Sequence, residues 1–340
     1  MTHPDDLVVL ESFPPPRPTT NPYITQLSQV LSRTSGLALR HFSYRAALTS
    51  RYDVFHTHWP ENLVGGHHWY GRVARRALAV LLLLRLWALR VPVVRTWHNL
   101  ERPSDLGRID QWLLDGFDRL TALRIVLNPV TEQISSSPVV TILHGHYRDW
   151  YGHHHQPPAT PGRVGYVGLI RRYKGVEDLL AAFARIDDPA ASLRVVGKPS
   201  TPELEETIRT LAREDPRMSV RLEFVDDADY AAELASMSLV AMPYRHMHNS
   251  GVALAALSVG RPVLMPDNPV NRALAEEVGH RWVHLFTGVV DEHDVSAALA
   301  AASTLAPTDR PDLSRRDWDD AGTAHLVAFA AATSREGKRR

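Results

Sequence analysis

The chain has 340 residues, 44% hydrophobic and 22% charged, with 38 basic and 38 acidic side chains, the composition of a globular protein of about two domains. Zero net charge excludes a nucleic-acid binder working by bulk charge, and the absence of cysteine excludes disulfides, thiolate metal sites and a cysteine nucleophile. The first thirty residues begin acidic and carry a proline run where a secretory signal needs an apolar core, so a cytoplasmic location is expected.

Short Val- and Ile-rich runs alternate with stretches of helical period, which predicts an α/β protein with parallel sheets covered on both faces. In the first half the expected strands are 7–11, 37–42, 54–56, 91–96, 124–127 and 139–143, with helices over 23–32, 70–89 and 104–115 and a short turn from Pro129. The pattern stops around Tyr147–Gly162, a stretch dense in His, Pro and Gly that reads as a linker. A second series follows, with strands at 163–167, 192–196, 220–224, 239–242 and 262–265 and helices at 175–186, 201–213, 227–236, 252–258 and 271–278. Residues 314–333 read as a terminal helix. The expected organisation is two Rossmann-like domains, 1–150 and 163–313, joined by a linker at 151–162 and facing across a cleft, with 314–340 returning to the first.

The even charge balance conceals two asymmetries. Residues 1–150 hold sixteen Arg against twelve acids, and no acid falls between Asn62 and Leu100, where Arg72, Arg75, Arg76, Arg85, Arg90 and Arg95 lie. Only three of the bases are lysines (Lys174, Lys198 and Lys338), which singles each out for inspection.

Two stretches of the second half carry chemistry. In GYVGLIRRYKGVEDLLAAF, from Gly165 to Phe183, a strand ends at Gly168 and a helix opens after Gly175, with Arg171, Arg172 and Lys174 between. A glycine lets backbone approach a ligand, a helix start offers N–H groups, and cations there complement a diphosphate; a solvated basic turn is the plainer alternative. In LVAMPYRHMHNSGVALAALSVGRPVLMPDNP, from Leu239 to Pro269, a strand leads through Tyr244 to Asn249, Ser250 and Gly251 at the start of a small-residue helix. Those groups suit sugar hydroxyls or phosphate oxygens, although Asn249 or Ser250 could serve only as an N-cap.

These two stretches resemble the donor-binding half of the GT-B glycosyltransferases. Lys174-Gly175 and Gly260-Arg261-Pro262-Val263 match that superfamily's pattern, and Trp318–Leu326 resembles its last helix, which crosses back to the first domain. The resemblance implies that Gly168, Arg171, Arg172 and Lys174 hold the donor diphosphate. It also implies that Asn249, Ser250 and Gly251 hold sugar or phosphates, and that Tyr244 and Val225 line the nucleobase pocket. Leu169 stands where the family has an arginine, so Arg171 and Arg172 must supply its charge. Retaining members carry two glutamates with seven residues between them, where this chain has Met247 and Ala255. That departure points to inversion, with a base from the first domain.

Two strand tails offer that base: DVFHTHWPEN with His56, His58, Trp59 and Glu61, and RTWHNLERP with His98, Asn99 and Glu101. Both resemble segments of bacterial enzymes that assemble cell-surface polysaccharides, as does HGHYRDWY. Glu61 and His98 are the candidate bases; His58, Trp59 and Asn99 are candidate acceptor contacts. His153–His155 lack metal-ligand spacing and read as solvated loop, while Asp226-Asp227 and Asp319-Asp320 read as helix-start carboxylates. No metal and no cofactor is expected beyond the nucleotide-sugar co-substrate.

GRVARRALAVLLLLRLWALR, residues 71–90, is too short in its apolar run to span a bilayer but is suited to an anionic membrane surface. The implied activity is hexosyl transfer, from GDP-mannose first and a UDP-sugar second, to a saccharide or lipid-linked saccharide on the inner membrane face. Two other classes fit the fold: a nucleotide-sugar 2-epimerase and a non-catalytic sugar-nucleotide binder.

Overall fold

Short β-branched strands separated by capped helices give two all-parallel sheets, each of six strands among the described residues. The computed structural model describes residues 6–65, 68–98, 106–131 and 137–338. The chain divides into two units, Met1–Gly145 with Arg316–Arg340, and His146–Arg315.

In the first unit, β1 (Leu7–Glu11), α1 (Pro22–Arg33), β2 (Leu37–Arg40), α2 (Tyr44–Thr49) and β3 (Val54–Thr57) are followed by α3 (Glu61–Val64) and α4 (Trp69–Ala88). Then come β4 (Val93–Trp97), α5 (Arg108–Leu120), β5 (Thr121–Val126) and β6 (Val139–Thr141), in the sheet order β2-β1-β3-β4-β5-β6. Strand alternation sorts the core. Val9, Val54 and Val94 pack on one face with Leu27 and Leu31 of α1, while Leu10, Phe55 and Val93 pack on the other with Leu82 and Leu86 of α4. On the first face, one step further along each strand, polar Glu11, His56 and Thr96 follow those valines, because the register pairs Glu11 with His56.

In the second unit, α6 (Arg148–Gly152), β7 (Arg163–Val167), α7 (Val176–Ala184), β8 (Ser192–Val196), α8 (Pro202–Arg213), β9 (Met218–Arg221) and α9 (Asp227–Ala235) come first. They are followed by β10 (Leu239–Ala241), α10 (Gly251–Ser258), β11 (Val263–Pro266), α11 (Pro269–Val278), β12 (Val283–Phe286) and α12 (Glu292–Ala302), in the order β12-β11-β10-β7-β8-β9. Caps explain most helix starts: Thr201, Asp226, Ser250 and Asn268 each accept a backbone N–H, and Asp291 with Asp294 forms a capping box. The last helix, α13 (Trp318–Lys338), belongs to the first unit and packs on α1. Gly322 permits this approach, since a Cβ there would stand 2.6 Å from Thr34 Oγ1.

Some expected elements shift. The fifth helix runs 108–120 instead of 104–115, β9 covers 218–221 instead of 220–224 with Phe224 left exposed, and the expected linker begins inside α6, whose Tyr151 is buried. Short α2, α3 and β12 lack a sequence signal long enough to register, and α12 stands beyond the expected elements although the Asp291–Asp294 capping box marks its start.

Candidate active site

In an open parallel sheet a crevice opens at the carboxyl ends of the two strands from which the chain departs in opposite directions. The strand orders put these points between β1 and β3 in one unit and between β7 and β10 in the other. The chemistry-bearing residues gather at both.

In the second unit, β7 is followed directly by Gly168, whose φ of 131° is open to glycine. Gly175, at φ 62°, precedes α7; a Cβ there would meet the Pro243 carbonyl oxygen at 2.2 Å. The basic loop is thus pressed against the segment after β10. Lys174 arches back over Gly168, its Nζ 4.0 Å from where a Cβ would stand, and lies 5.0 Å above the Tyr244 ring. Burial, with Arg171 adding to it, pushes the Lys174 ammonium down to about 8. It has no carboxylate partner among the described residues; Asp178 of α7 is paired with the Arg245 guanidinium. Arg171 and Arg172 are exposed, the latter 4.0 Å from Glu177. A pre-set positive cluster results, with little of its charge neutralised.

The loop after Tyr244 divides its tasks. Ser250 is the N-cap of α10, accepting from the Ala253 N–H at 3.3 Å, so its side chain already has a structural duty. Asn249 precedes it, half-buried, and at Gly251 a Cβ would come within 3.2 Å of the Tyr147 hydroxyl. Met247 and Ala255 bring no carboxylate to this loop: the Met247 carbonyl accepts from Asn268, and Ala255 is buried in the core. Val225 packs partly buried against this unit's core.

The first unit holds a network that sequence reasoning only half found. Glu11, at the end of β1, is fully buried and its Oε1 lies 2.8 Å from His56 Nδ1. His56 Nε2 lies 2.8 Å from Thr96 Oγ1, His58 Nε2 lies 3.4 Å from Glu11 Oε2, and His58 Nδ1 lies 3.0 Å from His98 Nε2. Trp59 stacks on the His98 ring with centroids 4.1 Å apart, and Tyr23 meets it edge-on at 5.2 Å. The His144 and Tyr23 ring centroids are 4.6 Å apart, and His325 of α13 lies 5.7 Å from His56. Burial raises the Glu11 carboxyl; it pushes His56 and His325 down to about 3 and His58 and His144 to about 4. His98 is held well below the usual histidine range by burial, the neighbouring imidazoles and Arg95.

Of the first-half candidates, His58, Trp59 and His98 are therefore together. Glu61 opens α3, half-buried, and makes no hydrogen bond or ion pair with these histidines among the described residues. Asn99 and Glu101 lie outside the described residues. Glu11, His144 and His325 were missed as members; Glu11 showed only as a lone acid ending an apolar strand. The donor atoms of Glu11, His56 and His58 lie within 4.8 Å of one another, close enough for a metal ion, but both His56 nitrogens are already engaged by Glu11 and Thr96. Glu11 Oε2 and His58 Nε2, 3.4 Å apart, are both buried and make no hydrogen bond among the described residues. His153 caps α6 in exposed loop, and Asp226 caps α9.

The surface of α4 is unusual. Its inner side buries Ala79, Leu82 and Leu86, yet its outer side exposes Tyr70, Val73, Leu81 and Leu84 at helical spacing, ending at Trp87, which is 69% exposed. Ile109 and Trp112 are exposed on α5, which packs on α4 where Gly116 lies beneath Leu83. The helix carries Arg72, Arg75, Arg76 and Arg85 and no acid. No helix among the described residues is long and apolar enough to cross a membrane.

Residues 161–306, almost the whole second unit, match the family model described as glycosyl transferases group 1. The chain is 43% identical over 331 residues to a GDP-mannose:glycolipid 4-beta-D-mannosyltransferase of Xanthomonas campestris, covering 97% of this chain and 94% of that protein. Among solved structures it resembles Anabaena HepE in complex with UDP (TM-score 0.58, 14% identity, 98% and 99% covered). It likewise resembles the catalytic domain of starch synthase IV from Arabidopsis thaliana (TM-score 0.62, 12% identity, 97% and 99% covered). A basic, glycine-hinged loop at one sheet's switch point, a carboxylate–histidine network at the other and the long 43% match lead to one conclusion: the chain belongs to the group 1 glycosyl transferases and is a glycosyltransferase of the GT-B fold.

Proposed function

We propose that this protein transfers mannose from GDP-mannose to a glycolipid, with inversion and without a metal ion. The observation that carries the reading is the 43% identity, across 97% of the chain, to an enzyme named for that donor, acceptor and a 4-β linkage. GDP-mannose is α-configured, so a β product demands inversion at C1, which agrees with Met247 and Ala255 standing where retaining relatives have carboxylates.

In this reading the second unit handles the leaving group. Lys174, with Arg171 and Arg172, neutralises the diphosphate as the glycosidic bond breaks, a task many enzymes give to a divalent cation. Gly168 lets the phosphates approach backbone; Asn249, Gly251 and the Ser250-capped start of α10 hold sugar or phosphate oxygens; Tyr244 and Val225 border the base. The first unit handles the acceptor. His98, kept neutral by its surroundings, takes the hydroxyl proton, and Trp59 and His58 hold its ring, a positioning duty where direct acceptor contact was expected.

The acceptor is lipid-borne in this account, and the outer side of α4 with Ile109 and Trp112 of α5 rests on an anionic membrane through its apolar stripe and arginines. Incubation with GDP-mannose, UDP-glucose and UDP-galactose separates the classes. Free mannose and GDP from GDP-mannose support the transferase; an altered sugar indicates an epimerase, and binding without turnover a sensor. Comparing His98→Gln with Glu61→Gln decides the base: loss of turnover in the first alone assigns it to His98, and the reverse moves it to Glu61.

A further inference from the structure

Lys198 is one of only three lysines in the chain, and the proposed reaction uses a different one, Lys174. We infer that Lys198 is a second donor-binding lysine, which holds the phosphate next to the nucleoside while Lys174 serves the phosphate bonded to the sugar. The inference rests on the reading of the second unit as the donor side, with the diphosphate at Gly168 and the base at Val225.

The tails of β7 and β8 stay hydrogen-bonded to each other beyond the ends of the strands. The Gly168 N–H donates to the Val196 carbonyl at 3.0 Å, the Ile170 N–H to the Lys198 carbonyl at 3.0 Å, and the Ser200 N–H to the Ile170 carbonyl at 2.9 Å. Val167 pairs with Val196 and Ile170 bridges to Pro199, so this constant register sets Leu169 beside Lys198. In-register neighbours on adjacent strands project from the same face of a sheet. Leu169 is 50% exposed and has no charge, so Lys198 is the residue that brings a cation to this edge. Gly197 makes the close pairing possible: its φ is 145°, and a Cβ there would stand 1.9 Å from the Gly168 carbonyl oxygen. Lys198 is thereby held next to the glycine over which Lys174 arches.

The sheet order β10-β7-β8-β9 sets where along the nucleotide Lys198 falls. Gly168 follows β7, Lys198 follows β8 after one glycine, and Val225 lies beyond β9. Neighbouring strands are about 4.8 Å apart, so the β8 tail stands one strand from the diphosphate on one side and one strand from the base on the other. The part of a nucleoside diphosphate between those two points is the ribose with its first phosphate. Of the two, the phosphate carries the negative charge that an ammonium complements.

Lys198 is also available for that contact. Arg172, by comparison, stands 4.0 Å from Glu177, and its charge also acts on Glu203. The Lys198 side chain is exposed and makes no hydrogen bond or ion pair among the described residues, so an incoming phosphate displaces only water from it. For the same reason its removal leaves no buried partner stranded, and a substitution there should not disturb the fold.

Calorimetric titration of the whole protein with GDP, GMP and guanosine tests the inference, because GMP keeps only the phosphate next to the nucleoside. Lys198→Ala should weaken GDP and GMP by the same factor, about fivefold, and leave guanosine unchanged, while Lys198→Glu should weaken both nucleotides further. Lys174→Ala should weaken GDP and leave GMP within about twofold. Melting midpoints equal to that of the wild type show that the Lys198 losses are not unfolding. GDP and GMP affinities within twofold of wild type in both Lys198 variants make Lys198 a solvated lysine and overturn the inference. An equal loss for guanosine places Lys198 on the base or ribose, and a loss for GDP alone places it on the sugar-side phosphate; either result overturns the assignment. Failure of the underlying reading looks different. A wild-type protein that binds UDP and UMP but neither guanine nucleotide refutes GDP-mannose as donor, and Lys198→Ala is then read with UDP, UMP and uridine; a wild type that binds no nucleotide refutes the donor side itself.

Discussion

Replacing Lys174 gives the sharpest test of the donor cluster, because its environment makes the charge depend on pH. Burial and Arg171 bring its ammonium to about 8, while its position over Gly168 and Tyr244 keeps it clear of any carboxylate among the described residues. With that value, about nine-tenths of the side chain is charged at pH 7 and about one-tenth at pH 9. GDP prefers the charged form, so its affinity should fall about tenfold between those values. The sign is fixed: a lowered lysine loses its charge as pH rises, and anion binding weakens with it. A hydrogen bond to a charged group contributes about 1.5–3 kcal/mol, so Lys174→Ala should weaken GDP binding by about 10- to 150-fold at pH 7 and remove the pH dependence. Lys174→Arg should bind well and show no fall towards pH 9, since guanidinium stays charged. Calorimetric titration with GDP across this range measures all three. Flat wild-type affinity from pH 7 to 9, or a Lys174→Ala affinity within twofold of wild type, would refute the reasoning.

Gly175→Ala forces a left-handed residue, costing about 1–2 kcal/mol, and drives a methyl towards the Pro243 carbonyl; a thermal melt should show a lower midpoint, and an unchanged midpoint contradicts the close packing. Leu84→Glu with Trp87→Glu should cut co-sedimentation with phosphatidylglycerol vesicles severalfold while leaving GDP affinity intact; equal sedimentation removes α4 from the membrane reading. Turnover of GDP-mannose should survive excess EDTA, and loss that added Mg²⁺ or Zn²⁺ restores would reassign the task given to Lys174.

Most of the architecture is legible in the sequence because parallel strands buried on both faces, such as β10 (LVA) and β11 (VLMP), read as unbroken apolar runs, and Thr201 or Asp226 mark helix starts chemically. Elements of four to six residues, such as α3 and β12, are too short to show a period. The basic loop from Gly168 to Gly175 stands out in the sequence because its glycines and a rare lysine lie close together in the chain. The carboxylate–histidine network does not, since Glu11, His56, His98 and His325 are brought together by strand register and by a helix more than two hundred residues downstream of His98. Ser250 shows the converse: its residue type suited a ligand, and the structure uses it as a cap.

The central claim is transfer of mannose from GDP-mannose with inversion. Its most direct test is to supply the protein with GDP-[¹³C]mannose and a bacterial glycolipid extract, recover the labelled glycolipid and read the anomeric configuration from the one-bond carbon–proton coupling at C1. The account predicts a β-mannosyl glycolipid. An α-linked product, or label transferred only from a UDP-sugar, would contradict it.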